Sequence, residues 1–295
     1  MRPVRTRREV ACLLFQAALA LPVSVHAQAA APGKRDFESS FDSLLGKLSS
    51  TSPDQSRVRR DQTDRVEEGQ ALAQQFFIRA FASATRISER ATSLIIASEV
   101  SGASQYRERF HKPTWPGGSS GVTIGIGYDL GFVNVKEFRS DWGTYIPAAD
   151  FALLAQCCGV HSERARTVLH SVARVDIPWP VADRQYLEQI QPRRIGETES
   201  VLRNCELLSP DSLGALVSLV YNRGAAGFLV PQSKDPSGRF REMRNIRSLM
   251  EGKRFADIPL QLLSMRRLWQ RTAGGEGLVL RRELEAQLFS LGLLA

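Results

Sequence analysis

The chain of 295 residues is 43% hydrophobic, so it can bury a substantial core and is neither a fibrous nor a low-complexity chain. Its 39 Lys and Arg residues outnumber its 31 Asp and Glu residues, which gives a formal net charge of +8 at pH 7. A basic chain favours a polyanionic partner such as nucleic acid, an anionic membrane surface or a cell-wall polymer, and charge alone does not choose among them.

Residues 1–27 have the pattern of an export signal, which predicts a periplasmic or secreted protein. Four arginines precede an apolar run from Val10 to Leu21, and Val25-His26-Ala27 offers small residues at a cleavage site. The apolar run is short for a membrane span, and no later stretch approaches the roughly 20 apolar residues that a span needs. We therefore expect cleavage after Ala27 and no stable insertion into a membrane.

The next segment, residues 28–64, is predicted to be a flexible tether because it is rich in Ser and Thr clusters and in charge. Only Phe37 to Leu48 is apolar enough to form a helix there. From Arg65 to about Phe81, apolar residues can share one face, which predicts a further helix that packs on the next part of the chain. We therefore expect one folded domain over residues 65–295.

A helix is predicted to begin at Ser88-Glu89 and to end at Glu99. An acid at a helix C-terminus lies against the negative end of the helix dipole, so its position there calls for another reason. A loop is expected over residues 103–118. It leads to a short strand, Ser119–Gly131, in which Val and Ile alternate with Gly. Glycines at alternate positions of a strand predict that another molecule approaches its backbone closely.

After Gly131 the pattern is mostly helical, which predicts a mainly α protein with a small β element, in the α+β class. Three cysteines follow the signal, Cys157, Cys158 and Cys205, and their spacing matches no zinc pattern. In an oxidising compartment Cys205 could pair with one of the other two, and buried free thiols are the alternative. The predicted helices lie at 133–139, 147–157, 160–173, 181–204, 209–222, 239–251, 255–271 and 278–291.

Two carboxylates and one hydroxyl are the candidate chemical groups of this chain: Glu99, Asp129 and Thr123. A chain that returned from the strand to the end of the helix would place Glu99 and Asp129 on either side of a bond. Paired carboxylates in different environments are what glycoside hydrolysis uses. Each residue has a plainer interpretation, as a solvated helix end, a turn acid and a β-branched strand residue, respectively.

Other chemistries find little support in the sequence. Residues 117–121 fit a Gly-x-Ser-x-Gly pattern, but no strand precedes them and no helix follows, as a nucleophile elbow requires. Gly125 and Gly127 lack the third glycine of a dinucleotide loop, and the histidines have no acid at metal-ligand spacing. The Arg-rich segment 266–282 lacks the interleaved aromatic residues of a nucleic-acid surface. We therefore expect no cofactor, no metal and no nucleic-acid partner.

Three segments in order resemble the phage-type lysozymes of glycoside hydrolase family 24. The first is Glu99 followed by Thr123-Ile124-Gly125-Ile126-Gly127, and the second is the helix end Asn222-Arg223-Gly224. The third is the Gly-Leu-x-x-Arg-Arg pattern of residues 277–282. Phage enzymes carry a catalytic Asp between the Glu and the Thr, whereas residues 100–122 contain none. The spacing is more similar to the pesticin-type muramidase domain, whose Asp follows the Thr, where Asp129 stands.

The resemblance implies a lysozyme-like fold and a muramidase that cleaves, with inversion, the β-1,4 bond between N-acetylmuramic acid and N-acetylglucosamine in peptidoglycan. It implies Glu99 as general acid, Asp129 as base or electrostatic partner, and Thr123 as the residue that positions the attacking water. Arg281 or Arg282 would hold Glu99 through a charge-assisted bond, with a solvated basic helix face as the alternative. Substrate-binding or Glu-supporting roles are implied for Gly125, Gly127, Tyr128, Asn222 and Arg281.

Two other functions stay open from the sequence. A lytic transglycosylase would use Glu99 alone and leave an anhydro sugar, and a non-catalytic module would only bind peptidoglycan. In each case we expect a monomer, with an immunity or inhibitor protein as a further partner.

Overall fold

The computed structural model describes residues 34–50, 81–272 and 274–295. The predicted export signal and nearly all of the helix predicted for 65–81 lie outside these residues. The described residues are mainly α-helical with one two-stranded antiparallel sheet, which confirms the predicted class of secondary structure. No helix among the described residues is both long and apolar enough to cross a lipid bilayer.

The α-helices and strands of the described residues are numbered here in chain order. The elements are α1 (Lys34–Ser50), α2 (Glu89–Val100), α3 (Gly102–Gln105), β1 (Thr123–Ile124), β2 (Tyr128–Asp129), α4 (Val135–Trp142), α5 (Ala148–Leu154), α6 (Glu163–Val172), α7 (Trp179–Gln185), α8 (Gln191–Val201), α9 (Pro210–Arg223), α10 (Arg241–Glu251), α11 (Ile258–Ser264) and α12 (Glu276–Leu293). One π-helical turn, Tyr106–Phe110, follows α3, and another, Tyr186–Ile190, joins α7 to α8.

Capping residues explain where α2 and α9 begin. The Ser88 hydroxyl accepts the N–H of Ala91 at 3.1 Å, which starts α2 where the sequence predicted. Ser209 caps α9 in the same way, with Pro210 at its first position. The predicted starts of α2 and α9 are therefore confirmed. The loop predicted over 103–118 is partly wrong, because α3 and the π-helical turn occupy residues 102–110.

The chain divides into two compact units. Among the described residues, the C-terminal unit comprises 34–48, 86–95 and 197–295 without residue 273. The hairpin unit comprises 49–50, 81–85 and 96–196, and it contains both strands. Both units lie in part within the range that the sequence predicted as a single domain.

Helix α1 is part of the C-terminal unit. Phe37 and Phe41 on this helix are buried, and Ser40 accepts a hydrogen bond of 3.3 Å from the Gln287 amide of α12. Burying two phenylalanine side chains contributes on the order of 3–6 kcal/mol before the entropic cost of ordering the helix. The prediction of a flexible tether is therefore wrong for residues 34–50, where the short apolar pattern forms a packed helix. The rest of 28–64 lies outside the described residues.

Aromatic rings build the core of the hairpin unit. Phe138 and Trp142 of α4 are fully buried, and Phe138 stacks on Phe151 with ring centroids 4.7 Å apart. Tyr106 of the π-helical turn is also buried, and its hydroxyl donates to the carbonyl oxygen of Ile177 at 2.9 Å. This core lies under the small sheet, because Tyr128 of β2 contacts both rings of α4.

The strand predicted over Ser119–Gly131 is a β-hairpin in the structure. Strand β1 pairs with β2 so that Thr123 lies opposite Asp129 and Ile124 opposite Tyr128. The turn contains Gly125 and Gly127 with φ values of +56° and +73°, which favour glycine over any residue with a side chain. Because the alternation of apolar residues with glycine fits a continuous strand as well as it fits a hairpin, the sequence did not predict the turn.

Candidate active site

Thr123 and Asp129 form a directly opposed pair across the hairpin. The N–H of Leu130 donates to the carbonyl oxygen of Val122 at 2.9 Å, which makes Thr123 and Asp129 the non-hydrogen-bonded kind of pair. Side chains in such pairs lie on one face and are the closest of any in an antiparallel sheet. Two of the three predicted catalytic residues are thus brought together by strand register.

The Asp129 carboxylate is held by backbone amides. It accepts the N–H of Gly121 at 2.9 Å and the N–H of Gly131 at 2.9 Å. Burial raises the pKa of Asp129 from 3.8 to about 6, although hydrogen bonds from both amides and from the Ser120 hydroxyl act in the opposite direction. At pH 7 the group is mostly ionised and is a stronger base than an ordinary carboxylate.

The Thr123 hydroxyl is buried and has no hydrogen-bond partner. Leaving such a group unpaired costs about 1–3 kcal/mol, and most buried polar groups in native proteins avoid this cost. A bound water or a substrate oxygen would supply the missing hydrogen bond. The unpaired hydroxyl is therefore the feature of the hairpin that most directly indicates a ligand.

Glu99 lies in the last turn of α2, where the sequence predicted it, and its side chain is half-buried. It is followed by the buried Val100 and by Ser101, which has a left-handed backbone with φ of +55°. This turn of the chain ends the helix directly after Val100. The role of Glu99 as the general acid stays a prediction.

Gly125 and Tyr128 have structural tasks that the sequence did not reveal. A Cβ at Gly125 would lie 2.6 Å from the Trp142 ring, so glycine is needed there for packing as well as for the turn. Tyr128 is buried, and its hydroxyl donates to the Asp141 carboxylate at 2.8 Å. Both residues therefore support the hairpin, and their predicted substrate-binding or Glu-supporting roles stay predictions. Gly127 is exposed at the tip of the turn.

Asn222 and Arg281 belong to a buried polar cluster in the C-terminal unit. The Glu285 carboxylate accepts the Ser218 hydroxyl at 2.7 Å, Arg282 at 2.8 Å and Arg281 at 3.3 Å. Asn222 accepts a further hydrogen bond of 3.2 Å from Arg282. Both arginines are buried, which rules out the solvated helix face. The predicted bond between an arginine of this pair and Glu99 stays a prediction.

Sequence reasoning missed Glu285 and a second cluster in the hairpin unit. Asp141 is buried and accepts Arg193 and the Tyr128 hydroxyl, while the Gln185 amide donates to its carbonyl oxygen at 3.2 Å. Acids on helices with polar neighbours are usually solvated, so only the three-dimensional contacts identify these two as buried. The Arg-Arg pattern three and four residues before Glu285 was the one available signal.

The described residues contain neither a disulfide bond nor a cluster of metal ligands. Cys157, Cys158 and Cys205 are free thiols, and Cys157 and Cys205 are buried. Burial raises the pKa of the Cys157 and Cys158 thiols to about 11. Within the part of the chain that the structure describes, no group of three or more His, Cys, Asp or Glu residues could hold a metal ion.

Comparison with protein families finds a match that includes the hairpin. Residues 96–191 match the model of a family described as a domain of unknown function (DUF8812), which covers about a third of the chain. We found no match among curated proteins or among solved structures. The matched segment begins three residues before Glu99 and contains both strands of the hairpin, so it includes all three predicted catalytic residues.

Proposed function

We propose that the protein is an exported peptidoglycan hydrolase with a lysozyme-like fold, which cleaves the β-1,4 bond between N-acetylmuramic acid and N-acetylglucosamine. The order of the three sequence segments supports this proposal, and the positive charge suits an anionic wall polymer. The observation that carries it is the Thr123 and Asp129 pair, which combines an unpaired hydroxyl with a carboxylate of raised pKa.

In the proposed reaction Glu99 donates a proton to the leaving glycosidic oxygen. Thr123 holds a water, and the ionised Asp129 accepts the proton of that water as it attacks the opposite face of the sugar. Inversion follows from this arrangement and requires carboxyl groups about 6.5–9.5 Å apart, which leaves room for the water. Glu99 and Asp129 make the two proton transfers of this scheme, and Thr123 positions the water.

The direct test is the digestion of purified sacculi by the wild type and by Glu99→Gln. Because a general acid typically contributes about 10²- to 10⁴-fold, we expect the variant to lose at least two orders of magnitude in the release of muropeptides. Glu89→Gln is the matched control, since Glu89 is an exposed acid in the first turn of the same helix. Equal rates for the wild type and Glu99→Gln would contradict the assigned role.

A lytic transglycosylase is the second candidate, and the contacts of Asp129 favour it. Both backbone amides bind this carboxylate, so Asp129 is able to serve as a structural link while Glu99 acts alone. Mass spectrometry of the released muropeptides separates the two reactions. Hydrolysis gives reducing N-acetylmuramic acid ends, whereas the transglycosylase gives anhydro ends that are lighter by one water. Binding to sacculi without any release would instead indicate a non-catalytic module.

A further inference from the structure

A third polar residue, Thr114, lies beside Thr123 on the side of β1 that faces away from β2. The N–H of Thr114 donates to the carbonyl oxygen of Thr123 at 2.9 Å, and the N–H of Thr123 donates to that of Thr114 at 2.7 Å. These two bonds form an antiparallel bridge outside the named strands. Thr114 and Thr123 are therefore directly opposed, just as Thr123 and Asp129 are.

This double pairing creates a row of three hydrogen-bonding side chains, which we name the polar row: Thr114, Thr123 and Asp129. Directly opposed residues in antiparallel pairs present their side chains on the same face. Since Thr123 is common to both pairs, all three side chains share one face. Each of the three residues is half-buried. Outer Cα atoms in such a row lie about 10 Å apart.

The chemistry of the polar row suits a ligand that carries hydroxyl groups. Each threonine hydroxyl can donate one hydrogen bond and accept others, and an ionised carboxylate only accepts. The central hydroxyl, that of Thr123, has no partner within the protein. The residues directly opposite Thr123 on its two sides, Thr114 and Asp129, are the neighbours of a water or a sugar hydroxyl bound at this point.

We propose that Thr114 is a positioning residue, whose hydroxyl binds the same water as the Thr123 hydroxyl and orients it for attack. This inference rests on the proposed glycoside hydrolysis and adds a residue to its site. A threonine that served only as a β-branched residue in the bridge would be replaceable by valine, because the two side chains have nearly the same shape. The hydroxyl itself is therefore what has to be tested.

The experiment measures initial rates of muropeptide release against sacculus concentration for Thr114→Val, Thr114→Ser, Thr123→Val and the double valine variant. We expect Thr114→Val to lower kcat about tenfold with little change in apparent KM, as for the loss of one hydrogen bond made in the transition state. Thr114→Ser keeps the hydroxyl and restores most of the rate. The double variant loses little more than Thr123→Val alone, because both hydroxyls bind one water.

Thr144→Val is the control, since Thr144 is exposed and lies outside the polar row, and we expect it to match the wild type. A Thr114→Val protein with wild-type kcat overturns the inference and leaves the proposed hydrolysis intact. A Thr114→Ser protein as slow as Thr114→Val, at equal melting temperature, also overturns it. A wild-type protein that neither digests nor cosediments with sacculi overturns the proposed function, and the role of Thr114 falls with it.

Discussion

Two carboxylates that are shielded from solvent, Glu242 in the C-terminal unit and Asp129 in the hairpin unit, have pKa shifts of opposite direction. In the C-terminal unit, burial alone would raise the pKa of Glu242, but hydrogen bonds from Arg267 and Arg241 outweigh burial and lower it. In the hairpin unit, burial outweighs the backbone amides that bind Asp129 and raises its pKa to about 6. Guanidinium partners therefore stabilise the charge of Glu242, whereas Asp129 is a stronger base than an ordinary carboxylate, as the proposed proton transfer requires.

The Glu285 cluster follows the pattern of Glu242. Arg281 and Arg282 bind the Glu285 carboxylate in the interior of the C-terminal unit, and the centroid of the Trp269 ring lies 5.8 Å from the Arg282 guanidinium carbon. Such a cluster fixes the packing of α9 against α12 through Ser218. Glu242 and Glu285 thus have guanidinium partners, as Asp141 of the hairpin unit does, whereas Asp129 accepts its hydrogen bonds from backbone amides.

Glu285→Gln should have the largest effect on the free energy of unfolding. The variant removes the buried carboxylate that accepts hydrogen bonds from Arg281 and Arg282, so we expect a loss of about 3–5 kcal/mol in the free energy of unfolding. Urea denaturation measures it. Glu276→Gln is the control, because Glu276 is exposed in the first turn of the same helix and should cost no more than about 0.5 kcal/mol. A loss below about 1 kcal/mol for Glu285→Gln would contradict the structural role.

The pH dependence of stability should have opposite signs for the two kinds of acid. Asp129 has a folded pKa above its unfolded value, so its contribution is fully present below about pH 4 and is lost as the pH rises through about 6. The resulting loss in the free energy of unfolding is at most about 3 kcal/mol. Glu242 has a lowered folded pKa, so its contribution is present above the unfolded pKa and is lost as the pH falls through the folded value.

Denaturation of the wild type, Asp129→Asn and Glu242→Gln between about pH 3 and pH 8 separates the two contributions. The stability of Asp129→Asn relative to the wild type should rise between about pH 4 and pH 7. The relative stability of Glu242→Gln should fall as the pH rises above the folded pKa of Glu242. Parallel profiles for Asp129→Asn and the wild type would show that the carboxylate is not desolvated as described.

Tyr128→Phe tests whether Tyr128 supports the hairpin or contacts substrate. The variant removes the hydrogen bond to Asp141, a charged acceptor, and should lower the free energy of unfolding by about 1.5–3 kcal/mol. The rate of muropeptide release, measured well below the melting temperature, should stay within about twofold of the wild type. A large rise in apparent KM with unchanged stability would instead indicate that Tyr128 contacts substrate.

The smallest expected effect on stability is that of Thr123→Val. Because the buried hydroxyl has no partner, its removal should leave the free energy of unfolding unchanged or raise it by about 1 kcal/mol. Muropeptide release should nevertheless fall. A gain in stability joined to a loss of activity is typical of a residue kept for function. A clear loss of stability would mean that the hydroxyl is bonded within the protein.

Local signals in the sequence predicted most of the helices. Ser88 and the Ser209-Pro210 pair marked two helix starts, and apolar periodicity located α9, α10 and α12 within two residues at each end. The hairpin was predicted as a strand, because Gly125-Ile126-Gly127 continues the apolar alternation through the turn and Ile126 is itself buried. Turn and strand had the same local pattern there.

The candidate site was predicted in part for the same reason. Thr123 and Asp129 could be named from their residue types and from the family resemblance, although their pairing depends on the turn that was missed. Thr114 gave no signal, since its bridge to Thr123 is a contact between segments separated by a glycine-rich loop. Buried acids such as Glu285 depend on long-range packing, which residue type alone does not indicate.

The most direct test of the proposed hydrolysis is the mass spectrum of muropeptides released from purified sacculi by the wild type, Glu99→Gln and Thr123→Val. We expect the wild type to release products with reducing N-acetylmuramic acid ends, Glu99→Gln to release almost none, and Thr123→Val to release the same products more slowly. Release of anhydro ends by the wild type, or equal release by Glu99→Gln, would contradict hydrolysis by Glu99 and a water held at Thr123.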